Sequence, residues 1–151
     1  IKSSQEAVAE TIWGNVRAKI IKNHLIDPAY FEEMSKLLDV IIKERKANAI
    51  SYEESLKRTA ELIKQMGSRA QPGLPNEIKT EAQRSLYNNL GKDEQMALAV
   101  DEAVKRSLRA DFIGNIPSEN LIKAEIYKVL KDQAEVERIF EIVKKQNEYR
   151  A

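Results

Sequence analysis

Between Arg84 and Arg106 the chain reads Arg-Ser-Leu-Tyr-Asn-Asn-Leu-Gly-Lys-Asp-Glu-Gln-Met-Ala-Leu-Ala-Val-Asp-Glu-Ala-Val-Lys-Arg. Leu86 and Leu90 share one helix face, Gly91 supplies a C′ stop, and Asp93 stands where it can cap the next helix. The pattern is helix, stop, helix. Nothing in it is catalytic.

The same helical period extends in both directions. Val8, Ile12, Val16 and Ile20 repeat every four residues and predict a first helix over roughly 4–23. Asp27-Pro28 predicts an N-cap followed by proline at N1, and Met34, Leu37, Leu38 and Ile41 form the expected buried stripe of a second helix. After a turn at Asn48-Ala49-Ile50, the run Ser51-Tyr-Glu-Glu54 is a capping box opening a third helix. That helix places Leu56, Ala60 and Ile63 on one face and is expected to stop at Gly67.

Residues 67–76 hold two glycines and two prolines, a loop of about ten residues and the expected boundary between two helical layers, within 67–79. Thr80-Glu-Ala-Gln83 is a second capping box. A fifth helix, about 94–108, is expected to bury Met96, Val100, Ala103 and Val104. Beyond a loop from Phe112 to Pro117, Ser118 is read as the cap of a helix carrying Ile122, Ile126, Val129 and Leu130. Asp132 caps a last one with Val136, Ile139, Phe140 and Val143. No segment alternates like a half-buried strand, and no fixed period of a solenoid is evident. The expected fold is all-α, a compact irregular bundle of about seven helices with no sheet, forming a single domain over 1–151.

Composition narrows the function. The hydrophobic content of 42% fills one core, and 32% charged residues suit many short helices with solvated outer faces. There is no cysteine, which excludes disulfides and thiolate metal sites and agrees with a cytoplasmic location. No apolar run approaches the roughly 18 residues of a membrane span. A start at Ile1 rather than Met points to a piece of a longer protein. The net charge of +1 gives no global basic field. Residues 1–75 carry 12 Lys/Arg against 10 Asp/Glu, and the remaining 13 stand against 14, so any nucleic-acid surface is a local patch.

The catalytic inventory is thin. His24, the one histidine, sits at a helix end where its cation suits the dipole, and it lacks partners for a metal site. There is no phosphate-binding Gly-x-x-x-x-Gly-Lys loop and no Gly-x-Ser-x-Gly elbow. A stand-alone enzyme would have to build its cleft from Asp, Glu, Tyr and Lys. No catalytic, metal or cofactor-binding residue is assigned. Glu32–Lys36, Asp39–Lys43, Glu53–Lys57, Glu54–Arg58, Asp101–Lys105, Glu102–Arg106 and Glu141–Lys145 are acid-first i,i+4 pairs, each worth about 0.2–0.5 kcal/mol on a helix.

Cations without such an acid are freer to meet phosphate. The longest acid-free stretch, between Glu10 and Asp27, holds Arg17, Lys19 and Lys22; Arg45, Lys46 and Arg109 end helices without an i−4 acid. These six are the candidate DNA contacts, and the helix dipole is the alternative reason for Arg45 and Lys46. Trp13 is a packing residue or, at the edge of its stripe, a partner anchor.

Three stretches carry a family resemblance: Glu6-Ala-Val-Ala-Glu-Thr-Ile12 with Asn15-Val-Arg17, the Arg84–Arg106 block, and Ala134-Glu-Val-Glu-Arg-Ile-Phe-Glu-Ile-Val-Lys144 with Asn147-Glu-Tyr149. Ile26-Asp-Pro-Ala-Tyr-Phe31 and Ala49-Ile-Ser-Tyr-Glu-Glu54 fit between them. Together they resemble the C-terminal region of the motor (R) subunit of type I restriction enzymes, over nearly the whole chain. The resemblance implies a non-catalytic region of an ATP-dependent DNA translocase and endonuclease, with ATP and Mg²⁺ bound upstream of it and no cofactor here. The partners it implies are the modification and specificity subunits, the rest of the motor subunit and double-stranded DNA, with no membrane. Two roles are open: assembly with a contribution to DNA binding, or a structural tail that shields the motor without touching DNA.

Overall fold

The computed structural model describes residues 3–69 and 71–150. Ala70, inside the expected loop, lies outside them. Among the described residues the fold is all-α: seven α-helices and two short 3₁₀ turns, with no strand. The helices are α1 (Ser4–Asn23), α2 (Pro28–Lys46), α3 (Tyr52–Ser68), α4 (Glu81–Asn89), α5 (Glu94–Ser107), α6 (Ile116–Leu130) and α7 (Gln133–Val143). None is long and apolar enough to cross a membrane.

Most ends follow the expected chemistry. Ser51, Thr80, Asp93 and Asp132 each accept a hydrogen bond from the amide three residues on, and Gln83 completes a reciprocal box with Thr80. Gly91 adopts φ +67 beyond α4, the left-handed conformation for which glycine carries no Cβ penalty. Two ends differ. The cap of α6 is Asn115, whose Oδ1 accepts from Ser118 N at 3.1 Å, so Ser118 is the third helical residue and not the cap. Helix α3 continues through Gly67 to Ser68 and ends at Arg69 with φ 54.

The chain forms two compact units: residues 1–24 with 30–73, and residues 25–29 with 74–151. The change at Gly73/Leu74 falls inside the 67–79 loop. Nothing in the local sequence marks residues 25–29 as members of the second unit.

In the first unit α1 contributes Ala9, Trp13, Val16 and Ile20 to the core, with Phe31, Met34, Leu38 and Ile41 from α2 and Leu62 and Met66 from α3. Val16 and Ile20 of α1 and Met34, Leu38 and Ile41 of α2 are buried as expected, and the other expected positions depart. Val8 is exposed and Ile12 only partly buried; Leu37 is exposed; Ala60 is exposed and Ile63 half-exposed, Leu56 intermediate. The buried stripe of α3 is Ser55, Thr59, Leu62 and Met66. Ser55 and Thr59 tolerate burial because their hydroxyls donate to Tyr52 O at 2.6 Å and Ser55 O at 2.7 Å.

The second unit is built on Leu86, Val100, Val104, Phe112, Ile122, Ile126, Val136, Ile139, Phe140 and Val143. Met96, expected inside, is only partly buried. Residues 25–29 are held by polar contacts. Asp27, fully buried, accepts from Asn89 Nδ2 at 2.7 Å and Asn88 Nδ2 at 2.9 Å. Asn89 Oδ1 accepts from Ala29 N at 3.1 Å, and Gln146 Nε2 donates to Ile26 O at 2.8 Å. Asp27, Asn89 and Gln146 thereby find their partners within their own unit.

Candidate interaction surfaces

Trp13 is a core residue, 6% exposed, whose indole Nε1 donates to Thr59 Oγ1 at 3.2 Å. The packing role expected of Trp13 is the one its burial and its satisfied indole N–H support. Its outer edge lines a hollow of about 280 Å³ with Glu6, Glu10, Arg45, Lys46 and Tyr52. Two acids face two cations there, so the hollow has no strong sign. Arg45 Nη1 also donates to Ile50 O at 3.1 Å, where it ties down the turn after α2.

The remaining candidates separate into tethered and untethered cations. Arg17 Nη2 lies 2.5 Å from Asp39 Oδ1, bridging α1 to α2. The i,i+4 spacing matches Asp39 to Lys43 and leaves Arg17 free; the structure reverses that, because a neighbouring helix offers a nearer donor. Arg109 Nη1 donates to Leu108 O at 3.2 Å and belongs to the second unit. Lys19, Lys22 and Lys46 are exposed and have no ion-pair partner among the described residues.

Lys19 and Lys22 share one place. They rim a groove of about 430 Å³ between α1 and α3 whose floor is Ile12, Val16, Ala18 and Ile63, with Asn15 beside them. Ile21 is 75% exposed and stands three residues after Ala18, which extends the apolar side of α1. Ile12 and Ile63 reach the groove because they lie outside the buried stripes of their helices. It is a surface with an apolar floor and two lysines at its rim.

His24 Nε2 lies 3.6 Å from Glu32 Oε1, and among the described residues no group of three or more His, Asp or Glu is placed to hold a metal ion. Among the described residues the one strongly perturbed acid is Tyr149. Burial, then the hydrogen bond to Asp101, push its phenol far above the ordinary range. It is 1% exposed in the second core, so it holds structure together and offers no accessible base.

A second basic cluster lies outside the six candidates. Lys144, Lys145 and Arg150 line a hollow of about 410 Å³ with Leu25, Ile113 and Glu141. The i,i+4 spacing matches Lys145 to Glu141, yet Glu141 Oε2 pairs with Lys144 at 2.6 Å. Arg150 has Gln146 at i−4, so the rule that selects Arg109 applies to it equally.

No family model matches the chain, and no curated protein or solved structure matches it.

Proposed function

We propose that the chain is a non-catalytic helical domain of a type I restriction enzyme motor subunit, serving assembly with the modification and specificity subunits and contributing to double-stranded DNA binding. In this reading ATP and Mg²⁺ act in upstream parts of the parent subunit, and the location is cytoplasmic. The resemblance in the stretches quoted above motivates the family. The observation that carries an assembly role is the α1–α3 groove, with Ile12, Ala18 and Ile63 reaching its surface over buried Val16, beneath Lys19 and Lys22. An apolar floor with a polar rim suits a protein partner. The two untethered lysines supply the DNA part.

The test is made in the parent subunit. Ile63→Asp should weaken assembly at least about ten-fold, as expected for a charge buried in a protein interface, while ATP hydrolysis by the motor persists. Deleting residues 1–151 should do the same and lower DNA affinity. Assembly and DNA affinity at parental levels in both variants would overturn the reading.

The runner-up is a structural tail without DNA contact. It is favoured by one observation: Arg17, Arg45 and Arg109, half of the DNA candidates, are engaged within the chain itself. Loss of parental solubility on deletion, with normal assembly and DNA binding of the soluble remainder, would select it.

A further inference from the structure

The basic hollow of the second unit shares no residue with the α1–α3 groove. Its walls combine two chemistries. Leu25 is 56% exposed and Ile113 45% exposed, so two aliphatic side chains line the hollow in water without cover. Around them are three cations and one acid. Glu141 is bound to Lys144, whose ammonium also lies 5.6 Å from the Phe140 ring, so that pair is locally neutral and held in place. Lys145 and Arg150 have no ion-pair partner among the described residues, and they leave the hollow with a net positive charge.

We propose that this hollow docks an acidic peptide segment of a partner protein, one aliphatic side chain flanked by carboxylates. The planar guanidinium of Arg150 suits a bidentate carboxylate, and Lys145 supplies a second, point-like charge. The aliphatic residue covers Leu25 and Ile113, which removes their apolar surface from water. A volume of about 410 Å³ admits such an anchor with its neighbours. A nucleic-acid backbone fits less well, because its sugar–phosphate chain leaves the two aliphatic walls uncovered. The inference goes beyond the assembly reading and stands on different residues, so either can fail without the other.

The test is fluorescence anisotropy on the 151-residue chain with a short labelled peptide of aspartates and glutamates around one central leucine. Saturable binding is expected, weaker by about ten-fold or more in Lys145→Glu/Arg150→Glu, as charge pairing across an interface implies. A milder Lys145→Ala/Arg150→Ala variant should fall between. Replacing the peptide's leucine with serine should weaken binding several-fold, and so should Ile113→Asp. Both cations are exposed, and an unchanged circular dichroism spectrum excludes misfolding as the cause. No saturable binding, equal affinity in the charge variants, or equal affinity of the leucine-free peptide would each overturn the proposal. A single-stranded DNA oligonucleotide of equal charge binding as tightly, and lost in the same variants, would overturn it in favour of a phosphate site.

Discussion

The Tyr149 hydroxyl donates to Asp101, a residue only 2% exposed, which also accepts from Gln83 Nε2 at 3.0 Å and Lys105 Nζ at 2.9 Å. One carboxylate thus joins α4, α5 and the 3₁₀ turn Asn147–Tyr149. Removing one donor while the acceptor stays buried costs about 1.5–3 kcal/mol for a bond to a charged group. Tyr149→Phe should lower stability in urea denaturation by that amount at neutral pH. The pH dependence has a definite sign. Burial and Asp101 raise the folded phenol above its unfolded value of about 10. The stabilisation is therefore complete below about pH 10 and declines above it, where only the unfolded chain releases the proton. The gap between wild type and Tyr149→Phe should narrow between about pH 8 and about pH 11; a gap that widens would show the phenol is not buried as described. Asp27 is the other demanding residue. Asp27→Ala strips the acceptor from two asparagine amides, each costing about 1–3 kcal/mol if left unsatisfied. A drop of at least about 2 kcal/mol in denaturant is expected, and a near-neutral result would mean that 25–29 is not held by this contact.

Element by element, most helix ends and the faces of the second unit are legible in the sequence, and the face of α3 is not. Ser51, Thr80, Asp93 and Asp132 cap because a side-chain oxygen before an apolar run is a local signal, decided within four residues. Faces depend on what lies opposite. Apolar period alone favours Leu56, Ala60 and Ile63 on α3, but Thr59 is buried there as the acceptor of the Trp13 indole. Small, internally bonded polar side chains let α1 and α3 meet where hydropathy would have kept them apart. The contrast is measurable. Leu62→Ala should cost about 2–5 kcal/mol, as truncations in a packed core do. Ile63→Ser, one residue on, should cost less than about 1 kcal/mol. Equal losses would return Ile63 to the core. Charge pairs between helices are similarly hidden. Glu125 takes Lys128 and Arg106, so Arg106 is not matched to Glu102. These two cations, Lys128 first, hold Glu125 below its usual carboxylate range, and Lys123 does the same to Glu137. Their contribution is present above the unfolded pKa and lost as pH falls through the folded value. Glu125→Gln should therefore reduce the fall in Tm between about pH 6 and about pH 3. Added salt should shrink the difference, since its two cations stand largely in solvent.

For the molecule as a whole, the boundary at Gly73/Leu74 is visible because glycine and proline punctuate the chain there. The allegiance of 25–29 is not, because Asp27-Pro28 reads only as a helix start while its asparagine partners lie some sixty residues away. The same limit applies to DNA binding. With a net charge of +1, no field spans the protein, and any phosphate contact must come from individual cations that the fold leaves untethered. Sequence spacing ranks Arg17 with Lys19 and Lys22; the pair with Asp39 separates them. If this face holds DNA, Lys19→Gln/Lys22→Gln should lower the slope of log affinity against log salt by roughly 0.9 for each phosphate no longer neutralised. Arg17→Gln should leave that slope unchanged, because its charge is already matched by a carboxylate at 2.5 Å. An unaltered slope in the double lysine variant leaves protein docking as the role of the groove. A slope that falls with Arg17→Gln instead would mean that DNA outcompetes Asp39, and that the ion pair opens when the helices meet phosphate.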